Sequence, residues 1–111
     1  MENTKIMERI YGSAIWYKEL DLKREVRNPI NIDKGIVVIG HRHFDIIKNV
    51  YNLLGLRTVQ LGENSIGEHE QGFVTNKDRF VDRKEAMLIA KNTNQVSQHT
   101  EHLELYSEDI Y

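Results

Sequence analysis

The chain has 111 residues, 40% hydrophobic and 29% charged, which suits one folded domain over 1–111 with a modest core and excludes the composition of disordered chains. A formal net charge of -2 leaves no excess of lysine and arginine to track a phosphate backbone, so duplex nucleic acid is not an expected partner. The absence of cysteine excludes disulfides and thiolate chemistry, and no apolar run approaches the roughly 20 residues needed to cross a bilayer, so a cytoplasmic protein without a membrane partner is expected.

"IYGSAIWY", Ile10 to Tyr17, is rich in β-branched and aromatic residues and reads as a strand with a bulge at Gly12. The stretch from Lys18 to Lys34 carries dense mixed charge and the only proline, Pro29, and reads as an exposed, solvated connection, strand-like from Leu20 to Val26. "GIVVIG", Gly35 to Gly40, is a short apolar run between glycines, the pattern of a central strand buried on both faces. From Phe44 onward Ile46, Ile47, Val50, Tyr51, Leu53 and Leu54 recur at helical spacing and Gly55 supplies a stop, which predicts a helix over about 44–54.

"LRTVQL", Leu56 to Leu61, reads as another short strand, and "GENSIGEHEQG", Gly62 to Gly72, as a polar loop of the kind that carries function. "FVTNKDRFV" flanks a turn composition with apolar residues, the pattern of a tight hairpin. Asp82 followed three residues later by Glu85 is a capping-box pattern, and Ala86, Ile89 and Ala90 continue it at helical spacing, predicting a helix over about 83–93. "QVSQHTEH" reads as a loop, and "LELYSEDIY" as a short strand and a turn that begins at Ser107. Two main helices and a small antiparallel or mixed sheet make an α+β fold.

The chemistry concentrates first in "GHRHFD", Gly40 to Asp45, at the corner between an apolar run and a helix. His41, His43 and Asp45 form H-x-H-x-D, the start of a metal-ligand pattern, but position 46 is isoleucine and the remaining histidines, His69, His99 and His102, are scattered. The same corner can hold an anion, because the first turn of a helix presents free N–H groups and Arg42 and His43 add donors. It can equally be an ordinary corner whose histidines are satisfied by their neighbours. Gln71, Gly72 and Phe73 join an amide to a ring that could stack on a base, and Arg79 and Arg83 flank the second helix cap at Asp82; surface ion pairs and core packing are the alternatives. No P-loop, G-x-G-x-x-G or serine nucleophile elbow is present.

Three blocks in order, "GHRHFDII", "QGFVTNKDRFVDRKEAMLIAKNTNQ" and "LYSEDIY", resemble a family of small phage proteins of the Thoeris anti-defence sponge type. The resemblance rests on Gly40, His41, Arg42 and His43, on Phe73 after "QG", on Arg79, Phe80, Arg83, Glu85 and Ala86, and on Ser107 to Tyr111. It implies a homo-oligomer that is not an enzyme, needs no cofactor or metal, and sequesters a cyclic ADP-ribose-derived or cyclic oligonucleotide signal near a subunit interface in the host cytoplasm. The ligand-binding residues it implies, together with the residue chemistry, are Gly40, Arg42, His43, Gln71, Phe73, Arg79, Asp82 and Arg83. Arg42 and Arg83 would meet a pyrophosphate, His43 would donate to it and Phe73 would stack on adenine. The charged segment from Lys18 to Lys34 has no counterpart in the resemblance. A metal-dependent phosphodiesterase using His41, His43 and Asp45, and a protein-interaction module presenting the charged segment, are the alternative functions.

Overall fold

The computed structural model describes residues 7–20, 27–54 and 68–110. Four strands form one antiparallel sheet: β1 (Ile10–Tyr17), β2 (Ile36–Gly40), β3 (His69–Thr75) and β4 (Phe80–Asp82), in the spatial order β2-β1-β3-β4. Helix α1 (His43–Leu54) follows β2, helix α2 (Arg83–Asn92) follows β4, and a single 3-10 turn, Ser107–Asp109, lies near the C-terminus. The α+β expectation holds, and the bulge expected near Gly12 is a register shift between Ile10 and Gly12.

Paired residues on neighbouring strands point to the same side of a sheet, so register assigns the faces. Ser13, Ile15 and Tyr17 share one face with Phe73, Gln71 and His69. Both helices pack on that face: α1 lays Ile46 and Val50 against Ile15 and Tyr17, and α2 lays Ala86, Met87 and Ala90 against Phe73 and Val81. The other face carries Ala14, Val37, Val74 and Phe80, with Trp16 and Ile32 packed against them.

Here two expectations change. "GIVVIG" is an edge strand, not a central one, because its two apolar faces meet α1 on one side and the segment around Ile32 on the other; toward its end Ile39 is 52% exposed. Residues 27–34 are mostly exposed, as expected, but they are not a free arm. Pro29 is buried, and two asparagines tie this segment to both outer strands. The Asn28 amide donates to the Gly35 carbonyl (3.0 Å) and accepts from the Val37 N–H (3.1 Å) at β2, while the Asn31 amide donates to the Phe80 carbonyl (2.7 Å) and accepts from the Phe80 N–H (2.8 Å) at β4. Arg27 adds a two-pronged pair with Asp78 (3.1 and 2.5 Å). The strand-like stretch expected from Leu20 to Val26, the "LRTVQL" strand and the Gly55 stop fall largely or wholly outside the described residues.

His69 to Gly72, expected in a loop, belong to β3: pairing with Tyr17, Trp16, Ile15 and Ala14 of β1 overrides their low strand propensity. Residues 103–106 form no strand. Leu105 is instead buried in the α2 cluster, and its N–H donates to the Arg83 carbonyl (2.9 Å). The hairpin turn is a type I turn closed by the Asp78 N–H to the Thr75 carbonyl (3.0 Å), followed by Asp78 itself at φ 61°, the left-handed residue that such three-residue loops require. Asn76 and Arg79 then hold the start of the chain. Asn76 bonds to the backbone of Met7 and Arg9, and the Arg79 guanidinium grips Glu8 at 2.8 Å through two nitrogens, which holds the Glu8 carboxyl down near 2.

Gly72 is the position with least room. A Cβ there would collide with the Val81 carbonyl oxygen and lie 2.7 Å from the Phe80 ring. Gly72→Ala is therefore expected to destabilise the fold by about 1–3 kcal/mol or more, read as a lower urea midpoint with an unchanged slope. An unchanged midpoint would show that β4 moves away freely.

Candidate functional site

Strand β4 ends at Asp82, opposite Gly72, while β3 continues back to His69. Beyond Asp82 the chain turns into α2, so the first residues of β3 face the first turn of α2 across a gap. The gap is an open cleft of about 380 Å³, with His69, Glu70 and Gln71 on one wall, Asp82, Arg83 and Lys84 on the other and Glu104 at its side. Its volume falls within the range of small-molecule sites.

Arg83 is the anchor of this cleft. One of its terminal nitrogens donates to the Gln71 side-chain carbonyl, and its guanidinium lies 4.7 Å from the centre of the Tyr106 ring. Its Nε–H is sealed from solvent without a hydrogen-bond partner, and no carboxylate pairs with it among the described residues. Tyr17 carries the other such orphaned atom, its hydroxyl; burial keeps that phenol protonated, pushing it up to about 12. A neutral phenol tolerates this, whereas a guanidinium is permanently charged.

The acidic residues of the cleft are partly neutralised already. Asp82 caps α2, its carboxylate accepting from the Glu85 N–H at 2.8 Å, as the capping pattern predicts, although the Glu85 side chain reaches Arg79 (2.7 Å) instead of returning to the cap. Glu70 lies 3.2 Å from Lys18 Nζ. Lys84 and His69 complete the basic side of the cleft.

Gln71, Asp82 and Arg83 are thus brought together, and the remaining predicted site residues go elsewhere. His43 is buried under the cleft. Its Nε2–H donates to the Gly72 carbonyl (2.7 Å), so Nδ1 of the neutral ring accepts from the Ser107 hydroxyl (3.2 Å), and the His43 backbone N–H points to that same oxygen (3.4 Å). Phe73 is fully buried, with its ring edge-on to His43 at 5.1 Å, so the expected stacking on adenine is corrected: it has no free face. Gly40 is explained by packing, since a Cβ there would lie 2.6 Å from Ile46 Cγ1. Arg79 is saturated by Glu8 and Glu85 and forms no part of the cleft. Arg42 is exposed immediately before α1, where its carbonyl accepts from the Ile46 N–H (3.1 Å).

The "GHRHFD" corner is consequently a structural joint. The Ser13 hydroxyl donates to the His41 carbonyl (3.1 Å), and the Ser107 hydroxyl meets the first N–H of α1. No group of three potential metal ligands occurs among the described residues, and both ring nitrogens of His43 are engaged, which removes it from any H-x-H-x-D site. Tyr106, Lys84 and Glu104 are cleft features that the sequence did not single out. Tyr106 lies far along the chain from Arg83, and the tertiary docking of its neighbours, the Leu105 bond to the Arg83 carbonyl among them, brings the two together.

Burial pushes the His43 imidazole below its ordinary value near 6.5, with the Arg83 charge acting the same way and the Gly72 carbonyl and Glu108 carboxylate opposing. As pH falls below about 6.5 the unfolded chain takes up this proton first, so His43 contributes stability that is present above that pH and lost below it. Urea unfolding at pH 7.5 and 5.5 is expected to show a smaller loss of stability for His43→Gln than for the wild type. Equal losses would place the folded imidazole at its ordinary value.

Among the described residues no helix is long and apolar enough to cross a membrane. No curated protein and no solved structure matches the chain. A family model described as "Phage T4 y16D protein" matches residues 9–111, nearly the whole chain and every element of the cleft. The chain belongs to the phage T4 y16D protein family.

Proposed function

We propose that this phage protein binds an anionic nucleotide signal in the Arg83 cleft and sequesters it without turnover, as an anti-defence sponge in the cytoplasm of the infected cell. The observation that carries this reading is the state of Arg83. Arg27 and Arg79 are each held by carboxylates, whereas Arg83 lines a cleft, steadied among the described residues by a neutral amide and an aromatic ring. A guanidinium in that position offers its remaining donors to a phosphate, and lying over the Tyr106 ring it suits a ligand that carries a base as well. The resemblance of the three sequence blocks to the Thoeris anti-defence sponges narrows the anion to a cyclic ADP-ribose-derived molecule or a cyclic oligonucleotide, held by a homo-oligomer.

Binding without catalysis is consistent with the commitment of one buried acid–base pair to the fold. His43 uses both nitrogens internally and Ser107 is buried, so this pair presents neither a base nor a nucleophile to the cleft.

Calorimetric titration with cyclic ADP-ribose isomers and a cyclic trinucleotide, followed by denaturation and chromatography of the released ligand, tests the reading. Binding with intact ligand recovered supports it; a cleaved product or no binding to any of these molecules rejects it. Arg83→Gln is expected to weaken binding tenfold or more, since a charged hydrogen bond contributes about 1.5–3 kcal/mol. Arg79→Gln is expected to lower the melting temperature and leave affinity unchanged. The same titration with Arg42→Ala decides whether the start of α1 supplies a second cation: a tenfold loss adds it to the site, and unchanged affinity removes it.

A further inference from the structure

The two holders of the Arg83 guanidinium come from distant parts of the chain, Gln71 from β3 and Tyr106 from the segment before the C-terminal turn. Neither is bonded directly to the other in any contact described above. Yet the residue after Gln71 is Gly72, the residue after Tyr106 is Ser107, and one imidazole joins these two: His43 Nε2–H to the Gly72 carbonyl at 2.7 Å and the Ser107 hydroxyl to His43 Nδ1 at 3.2 Å. We infer that His43 is a positioning residue for the Arg83 cleft, its ring setting the spacing between the Gln71 and Tyr106 sides of the grip on the guanidinium. The inference rests on the reading of Arg83 as the anion anchor.

Several features make the ring suited to this role. It is buried and rigidly placed, with the Phe73 ring edge-on to it. It lies over the sheet where Ala14 sends its side chain to the opposite face and its partner Gly72 has none, which leaves the Gly72 carbonyl approachable from above. A second tie runs through the same serine, since the first N–H of α1 also reaches Ser107 Oγ (3.4 Å). The start of α1, the middle of β3 and the C-terminal turn therefore meet at one side chain, with Arg83 at the two residues that flank it. Glutamine in place of His43 can reproduce the donor to Gly72, but its carbonyl acceptor is not held at the ring position of Nδ1 that meets Ser107.

The test uses the full-length protein, labelled with ¹⁵N, and inorganic pyrophosphate as the probe. In the free wild type, the sealed Arg83 Nε–H is expected to give a slowly exchanging signal that Arg83→Gln removes. Ser107→Ala deletes one oxygen and Ser107→Thr restores a hydroxyl. Ser107→Ala and His43→Gln are expected to speed exchange of the Arg83 signal tenfold or more and to weaken pyrophosphate binding at least fivefold, with the amide signals of β1 unchanged. Ser107→Thr is expected to recover both. Unchanged exchange and affinity in folded Ser107→Ala protein would overturn the positioning role. Failure of pyrophosphate to move the wild-type Arg83 signal would instead overturn the reading of Arg83 as anion anchor, while the exchange comparison, made without ligand, still decides whether His43 positions it.

Discussion

A buried imidazole has two polar atoms to satisfy, and in this protein their partners lie in two segments distant along the chain. Leaving either nitrogen unpaired would cost about 1–3 kcal/mol, a sizeable share of the stability of a domain this small. The C-terminal turn is therefore required at the sheet: Ser107 completes the ring of His43 and caps the first amide of α1 with one oxygen. Leu105, two residues earlier, is fully buried beside α2 and its N–H closes onto the Arg83 carbonyl. Polar and apolar terms thus fix the same segment. The cleft follows from this docking, because Glu104 and Tyr106 can stand beside Arg83 only while the residues on either side are held.

The opposite face solves a different problem. A four-stranded sheet with helices on one side leaves an apolar face and two strand edges, both hazards for edge-to-edge pairing. Asn28 and Asn31, three residues apart around a buried proline, answer both at once. Each amide occupies an outward N–H and C=O pair of an outer strand, as a neighbouring strand would, and Ile32 covers apolar side chains beneath. The ion pair of Arg27 with Asp78 pins the start of this strap to the hairpin turn, whose left-handed residue is Asp78 itself.

Where the local pattern had one physical cause, the sequence was legible. The β-branched and aromatic run of β1, the helical spacing of α1 and the Asp82 cap of α2 all stand within a residue or two of expectation. It misled where a pattern has two causes. Ile36 to Val38 are apolar in succession because both faces of an edge strand are covered there, which is indistinguishable in sequence from a central strand. Charge density made 27–34 look solvated, although its bonds to the sheet come from asparagine amides and backbone that charge counting ignores. His69 to Gly72 are polar and end in glycine, the mark of a loop, yet their backbone is needed by β1. Of the candidate site, Asp82 and Arg83 were identifiable because they stand at a helix start, and Gln71 because it adjoins a glycine and a ring. Tyr106 was not, since its approach to Arg83 is a tertiary event.

Arg79 and Arg83 show how little residue type alone decides. They stand four positions apart, on either side of β4, and both could have met an anion. Arg79 leans toward the start of the chain, where Glu8 and Glu85 supply carboxylates at 2.7–2.8 Å, and its charge is consumed in joining three elements. Arg83 leans toward β3, where its acceptor is the neutral amide of Gln71; of the acids lining the cleft Asp82 is committed to the helix cap and Glu70 to Lys18, and Glu104 stands at its side without an ion pair to Arg83. Folding therefore leaves one of two similar cations electrostatically incomplete, at the edge of a cleft. An internal carboxylate paired with Arg83 would stabilise the free protein and compete with any bound anion. Its absence among the described residues is what separates a binding position from a structural one.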